Sequence, residues 1–216
     1  MDDAGSADGA RLGIVDYGMG NRRSVEKALQ SVGARVTVSA DPTTLRRADG
    51  LVVPGVGAFP RAMERLNQLG LAELIRERLA AGTPVLGICL GMQLAFDRSS
   101  ELGGAEGLGL VAGTVAPLRA PGLKLPHIGW CPVSFQPDSE LVEGLPSQSA
   151  FYHVHSLAPN PTAEQDVLGT ASYGSRFVTA VAHGDFYGVQ FHPEKSSTHG
   201  LRLLANFGSI CLRARR

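Results

Sequence analysis

A chain of 216 residues is long enough for one compact α/β domain with a sizeable core. Its 20 basic and 20 acidic side chains cancel, which removes the field that would draw it to phosphate backbones or anionic lipid and speaks against nucleic-acid and membrane partners. Apolar residues make up 44% of the chain, yet they never form the run of about 18 or more that spans a bilayer. The three cysteines, Cys89, Cys131 and Cys211, are odd in number, widely spaced and without a CxxC pair, so neither a disulfide framework nor a zinc knuckle is indicated and a cytoplasmic location is expected. The opening MDDAGSADGA is small and acidic, unlike a signal peptide or an anchor. It is expected to form a disordered tail over residues 1–10, ahead of a single domain over 11–216.

The first predicted strand is Arg11 to Asp16, followed by a helix with Val25, Ala28, Leu29 and Val32 at helical spacing behind Asn21 and a stop at Gly33. Arg35 to Ser39, Leu51 to Val53 and Val85 to Ile88 read as short buried strands, with helices over Ala62 to Leu69 and Leu71 to Ala81 between the last two. Alternation of this kind predicts a flavodoxin-like, doubly wound, mostly parallel sheet with helices on both faces. From about Gly107 the pattern changes to short strands and turns, which adds antiparallel strands in the second half; FVTAVA and FYGVQF, joined across His183, Gly184 and Asp185, predict a hairpin. A last helix from Thr198 is expected to bury Leu201, Leu204, Ala205 and Gly208, and the two halves are expected to share one core.

Three segments carry chemistry. In TPVLGICLGMQLAF, Cys89 ends a predicted strand between Gly87 and Gly91, where a nucleophile on a sharp strand-to-helix turn requires small neighbours two residues away on either side. A helix expected over Met92 to Phe96 would set its amino end near the sulfur, and the Leu90 amide would face a developing oxyanion. The same pentapeptide is also compatible with a buried cysteine flanked by packing glycines. GVQFHPEKSS supplies a base, His192, and an orienting carboxylate, Glu194, across a stiffening proline; alone it could equally be a loop with a surface carboxylate. PGVG, Pro54 to Gly57, follows a strand and can turn an amide inward as a second oxyanion donor, or be an ordinary glycine turn.

Together with DYGMGNRRSVEKAL, PHIGW and VHS, these segments resemble the class I (triad) glutamine amidotransferases, and more narrowly the glutaminase subunits of imidazole glycerol phosphate synthase, over nearly the whole chain after its first ten residues. The resemblance implies that Cys89 attacks the glutamine carboxamide, that His192 moves the proton and that Glu194 orients His192. It implies backbone oxyanion donors at Leu90 and Gly57, with the Gly55 to Gly57 loop flipping on activation, and contacts to glutamine from Gln93, Glu101, His155 and Ser156. No cofactor is called for. The implied partner is a TIM-barrel cyclase subunit that receives ammonia in a heterodimer, with Trp130, Tyr152 and Lys195 at the docking face. From the residues alone these three are equally a rim aromatic, a packed tyrosine and a solvated charge.

The alternatives are the glutaminase of a pyridoxal phosphate, anthranilate or aminodeoxychorismate synthase, a stand-alone cysteine hydrolase on the same sheet, and a catalytically silent docking subunit. Cys131 stands where the family often has Asn and His153 where an aromatic is usual, both near the expected interface. His153 and His155 alternate on one strand face without a third ligand at metal-site spacing, so no metal is expected. His127, His183 and His199 are expected at turns or on the surface, and Cys211 in the core.

Overall fold

A computed structural model describes residues 9–215. Strand β1 (Arg11–Val15), helix α1 (Arg22–Ser31), β2 (Arg35–Ser39), the one-turn α2 (Pro42–Leu45), β3 (Gly50–Gly55), α3 (Phe59–Gln68), α4 (Leu71–Ala80) and β4 (Val85–Cys89) alternate as the sequence predicts. A single turn, α5 (Leu90–Gln93), leads into β5 (Phe96–Ser99), β6 (Ala105–Glu106), β7 (Val111–Pro117), β8 (His127–Phe135), β9 (Gln148–His155), β10 (Leu157–Pro161), β11 (Val167–Tyr173), β12 (Ser175–His183), β13 (Phe186–Val189) and the closing helix α6 (Ser197–Ala214). Within the described residues the main sheet has nine strands in the order β2-β1-β3-β4-β13-β12-β11-β8-β9. The ladders from β2 through β13 are parallel, and those from β13 through β9 are antiparallel. The predicted hairpin is β12–β13. A second sheet of four strands, β10-β7-β5-β6, covers part of one face.

Alternation along the parallel strands divides the core between the two faces. Ile14, Val52 and Leu86 pack with α1 and α6, whereas Val15, Leu51, Val53 and Val85 pack with α3, α4 and the small sheet. Both halves of the chain contribute to each cluster, so neither half closes a core by itself.

Three expectations change. Residues 1–8 of the expected tail lie outside the described residues, but Ala10 is buried and its carbonyl accepts a hydrogen bond from the Arg35 amide at 2.9 Å, extending the β1–β2 pairing. The helix expected over Met92–Phe96 is only α5, because residues 90–96 are all buried and no polar face exists for a longer surface helix; Phe96 already pairs with Val111. Helix α6 buries Gly200, Leu203, Leu204, Phe207, Ile210 and Cys211 instead of Leu201, Ala205 and Gly208. Covering a Phe or Ile stabilises by about 1.5–3 kcal/mol, more than an Ala or Gly can return, so the helix turns Phe207 and Ile210 inward.

Candidate active site

The carboxyl ends of β1, β3, β4 and β13 converge on one edge of the sheet, where an open α/β sheet collects its chemistry. Cys89 ends β4 with φ 55° and ψ −111°, a left-handed conformation that a non-glycine residue adopts only when its surroundings impose it. The flanking glycines show what imposes it. A Cβ at Gly91 would lie 1.7 Å from the Val53 carbonyl oxygen, and one at Gly87 would lie 2.7 Å from the Gly91 carbonyl oxygen. The backbone therefore folds back on itself and onto β3, lifting the thiol to the sheet edge, which excludes the reading of two packing glycines around an ordinary strand cysteine. Gly55 of β3 is in register with Cys89, which sets the PGVG segment beside the sulfur.

His192 follows β13, and its Nδ1 lies 2.8 Å from Glu194 Oε1. A carboxylate can only accept there, so Nδ1 carries the hydrogen and Nε2 is left for the thiol. The Glu194 side chain is 0% exposed, which excludes the surface-carboxylate reading. Burial disfavours the imidazolium, but hydrogen bonds to Cys89 and Glu194 and their negative charges outweigh it, raising the His192 pKa to about 9. The single turn α5 offers little of the dipole expected from a longer helix, so the electrostatic support at this site comes from the His192–Glu194 pair.

A cleft of about 300 Å³ is lined by Val56, Gly57, Cys89, Leu90, Gln93, Glu101, Pro126, Val154 to Leu157, His192 and Lys195. It brings together the triad histidine and cysteine with Gly57, Leu90, Gln93, Glu101, His155 and Ser156. Leu90 is the first residue of α5, so its amide has no partner one turn earlier. Gly57 has φ 107°, a left-handed conformation that a glycine, having no Cβ, holds without steric cost. Glu101 Oε2 accepts from the Phe59 amide at 2.7 Å, tying its loop to the start of α3 just beyond PGVG. His155 lines the cleft, but both ring nitrogens are engaged: Nδ1 with the Leu157 carbonyl at 2.7 Å and Nε2 with His127 Nδ1 at 3.1 Å.

Sequence reasoning missed two side chains that touch the triad. Gln190 is fully buried and donates from Nε2 to Cys89 Sγ at 3.6 Å, while its Oε1 accepts from Gln93 Nε2 at 2.9 Å. The signal was present, since Gln190 lies only two positions before His192 on the segment that leaves β13. Asn21 Nδ2 donates to Glu194 Oε1 at 3.3 Å, so the residue placed before α1 as a cap braces the triad instead.

Trp130 is 55% exposed, stands opposite Tyr152 in the β8–β9 ladder, and meets it edge-on at 6.1 Å between ring centroids; Lys195 Nζ sits 6.0 Å from the Tyr152 ring. Ile128 and Val56 are also exposed, at 60% and 45%, and Val56 and Lys195 line the cleft as well. Cys131 and His153, expected near the interface, point to the other side of these strands and are buried. Cys131 Sγ donates to the Ser172 carbonyl at 3.4 Å, and His153 bonds the Phe151 carbonyl and Thr179 Oγ1. His127 is likewise buried rather than at a turn, because it pairs with His155 and stacks on Tyr173. His183 is exposed and pairs with Asp166, and Cys211 is buried in the core. Among the described residues no group of three His, Cys, Asp or Glu side chains is arranged to hold a metal ion, and no helix is long and apolar enough to cross a membrane.

A thiol on a strained elbow, an imidazole held in one tautomer by a buried carboxylate, and amides at the same cleft are the parts that a cysteine-nucleophile enzyme acting on a carbonyl carbon requires. The comparison with known proteins narrows this: residues 13–210 match the family described as glutamine amidotransferase class-I, and the chain belongs to that family. It is 48% identical over 199 residues to the imidazole glycerol phosphate synthase subunit HisH of Moorella thermoacetica, covering 92% of this chain and 94% of the relative. To the subunit of the same name from Symbiobacterium thermophilum it is 49% identical over 201 residues, covering 93% and 94%. Among solved structures, a glutamine amidotransferase superposes with a TM-score of 0.73 at 20% identity over 93% of this chain and 98% of that one. PurLQS from Thermotoga maritima superposes with a TM-score of 0.71 at 17% identity over 96% and 100%; at these identities the likeness concerns the fold.

Proposed function

We propose that this chain is the glutaminase subunit of an imidazole glycerol phosphate synthase, hydrolysing glutamine to glutamate and ammonia. The observation that carries the chemistry is the coincidence, in one cleft, of the Cys89 elbow with the 2.8 Å His192–Glu194 pair. The Cys89 thiolate attacks the side-chain carboxamide carbon, and the C=O electron pair moves onto oxygen, where the amides of Leu90 and Gly57 receive it. Loss of one such donor typically costs about 3–4 kcal/mol of barrier, which is why the orientation of the PGVG peptide controls the rate. The tetrahedral species collapses with cleavage of the C–N bond as His192 transfers its proton to the departing nitrogen, leaving ammonia and a γ-glutamyl thioester. His192, now neutral, takes a proton from water; the hydroxide adds to the thioester, the C–S bond breaks, and glutamate leaves a restored thiolate–imidazolium pair. In this reading Gln93, Glu101 and Ser156, which line the cleft, hold the polar groups of glutamine.

As a synthase subunit the chain works with a partner, which we take to be a TIM-barrel cyclase that uses the ammonia to make imidazole glycerol phosphate and an aminoimidazole carboxamide ribotide in histidine biosynthesis. Supporting this are the exposed Ile128 and Trp130 of β8, Tyr152 opposite Trp130, and Val56 and Lys195, which also line the cleft. Docking there keeps ammonia from being protonated in bulk water. Such a heterodimer is expected in the cytoplasm.

The test is Cys89→Ala in the reconstituted complex. Glutamine-dependent synthesis is expected to vanish while synthesis from added ammonium salt persists. Loss of both activities would overturn the assignment of Cys89 to glutamine hydrolysis alone.

A further inference from the structure

Behind the cleft wall formed by Val154 to Leu157 lies a cluster of three histidines, two of which, His127 and His155, form a hydrogen-bonded chain that ends on the Leu157 carbonyl. The Leu157 carbonyl can only accept, so His155 Nδ1, 2.7 Å away, carries the hydrogen. Burial keeps His155 neutral, so its Nε2 holds a lone pair, and the hydrogen in the 3.1 Å contact belongs to His127 Nδ1. His127 stands directly opposite His155 in the β8–β9 ladder. Its ring lies between Tyr173, stacked at 4.0 Å, and His153, stacked at 5.2 Å, with the Phe177 edge at 6.0 Å. Tyr173 is itself anchored by its hydroxyl on the Lys124 carbonyl at 2.8 Å. His127 is absent from the lining of the cleft, whereas His155, Val154 and Ser156 belong to it.

With both nitrogens occupied, His155 offers no ring donor or acceptor to a substrate. What it fixes is the backbone of its own segment, which carries Ser156 and the Val154 carbonyl, 3.9 Å from Cys89 Sγ. We infer that His127 is a positioning residue: its Nδ1–H sets the tautomer of His155, and His155, through its bond to the Leu157 carbonyl, holds the cleft wall in the shape that receives glutamine. This rests on the glutaminase reading, and it explains the histidine of PHIGW, to which the catalytic steps give no task.

Two variants separate the donor from the ring. His127→Phe keeps a flat ring for the stack but has no N–H, so His155 can reverse its tautomer and release Leu157. His127→Asn loses the ring but places an amide N–H where Nδ1 was. In the chain reconstituted with a cyclase, His127→Phe is expected to raise the KM for glutamine roughly tenfold with kcat nearly unchanged, the scale of leaving one buried acceptor without a donor, and His127→Asn to remain within about threefold of the parent. A merely structural role predicts the opposite order, because Asn removes the stacking surface, and that order would overturn the inference. An unchanged KM in His127→Phe would sink the positioning role while leaving the glutaminase reading intact; a parent without glutaminase activity would sink the reading itself. Should His127→Phe fail to fold, nitrogen-15 NMR of the unmodified chain decides the matter, with His155 expected in the Nδ1–H form and an Nε2–H form contradicting the relay.

Discussion

Replacing His153 by Phe tests whether the buried histidines make the protein sensitive to acid. His153 is fully buried, and desolvation, reinforced by the neighbouring His155, His127 and His192, depresses its pKa from 6.5 to about 3 despite a favourable bond to the Phe151 carbonyl. His155 is depressed to about 4, mainly by burial. Both folded values lie below the unfolded one, so below pH 6.5 the unfolded chain binds more protons than the folded one. Stability therefore falls as pH drops from about 6.5, and the loss levels off only below the folded values. At about pH 5 each group has cost about 2 kcal/mol, or about 4 kcal/mol together, a large part of the 5–15 kcal/mol typical of a domain. His153→Phe abolishes one of the two terms and leaves Thr179 Oγ1 without its 2.8 Å partner, a loss independent of pH. Urea unfolding at about pH 7.5 and about pH 5 should show the parent losing about 2 kcal/mol more than the variant between the two conditions. Equal losses would refute the argument that His153 is held neutral in the fold.

Gln190→Leu preserves volume but removes the donor to Cys89 Sγ and the acceptor of Gln93, so kcat/KM for glutamine should fall by roughly ten- to a hundredfold; an unchanged value would show that the contact is incidental. Asn21→Ala leaves Glu194 Oε1 to His192 alone and is expected to lower kcat a few-fold with little change in KM, which steady-state kinetics can separate. Tyr17→Phe strips the Pro54 carbonyl of a buried hydroxyl donor at 2.8 Å and should cost about 1–3 kcal/mol in urea unfolding; no loss would mean that another donor reaches Pro54. Burial pushes the thiols of Cys131 and Cys211 up, the latter to about 12, so a glutamine-like alkylating analogue should modify Cys89 first; mass mapping that finds Cys131 modified ahead of it would contradict the site.

The parallel half of the fold was legible because its signals are local. Short apolar runs such as VLGIC and alternating helical stripes such as Val25, Ala28 and Leu29 name their elements directly, and the glycines around Cys89 named the elbow. What stayed hidden depends on contacts distant in sequence. His127 reads as a turn residue until β8 pairs with β9 and brings it against His155, 28 positions away. Asn21 reads as a helix cap until the fold carries it to Glu194, 173 positions away. The stretch after Cys89 misled for a different reason: LGMQLAF is apolar except for Gln93 and carries no amphipathic period, so a turn followed by a buried strand cannot be told from a helix. Likewise the ring nitrogens of His155 looked available for substrate because the sequence does not reveal which of them the neighbouring backbone and side chains already occupy.

The most direct test of the glutaminase-subunit reading is glutamate release from glutamine by the purified chain, measured alone and then with a histidine-pathway cyclase in the absence and presence of that enzyme's ribulose substrate. The account predicts slow release by the isolated chain and a marked acceleration when partner and substrate are both present, as the PGVG amide is turned toward the oxyanion. Release that is absent throughout, or rapid from the start and indifferent to the cyclase, would contradict it.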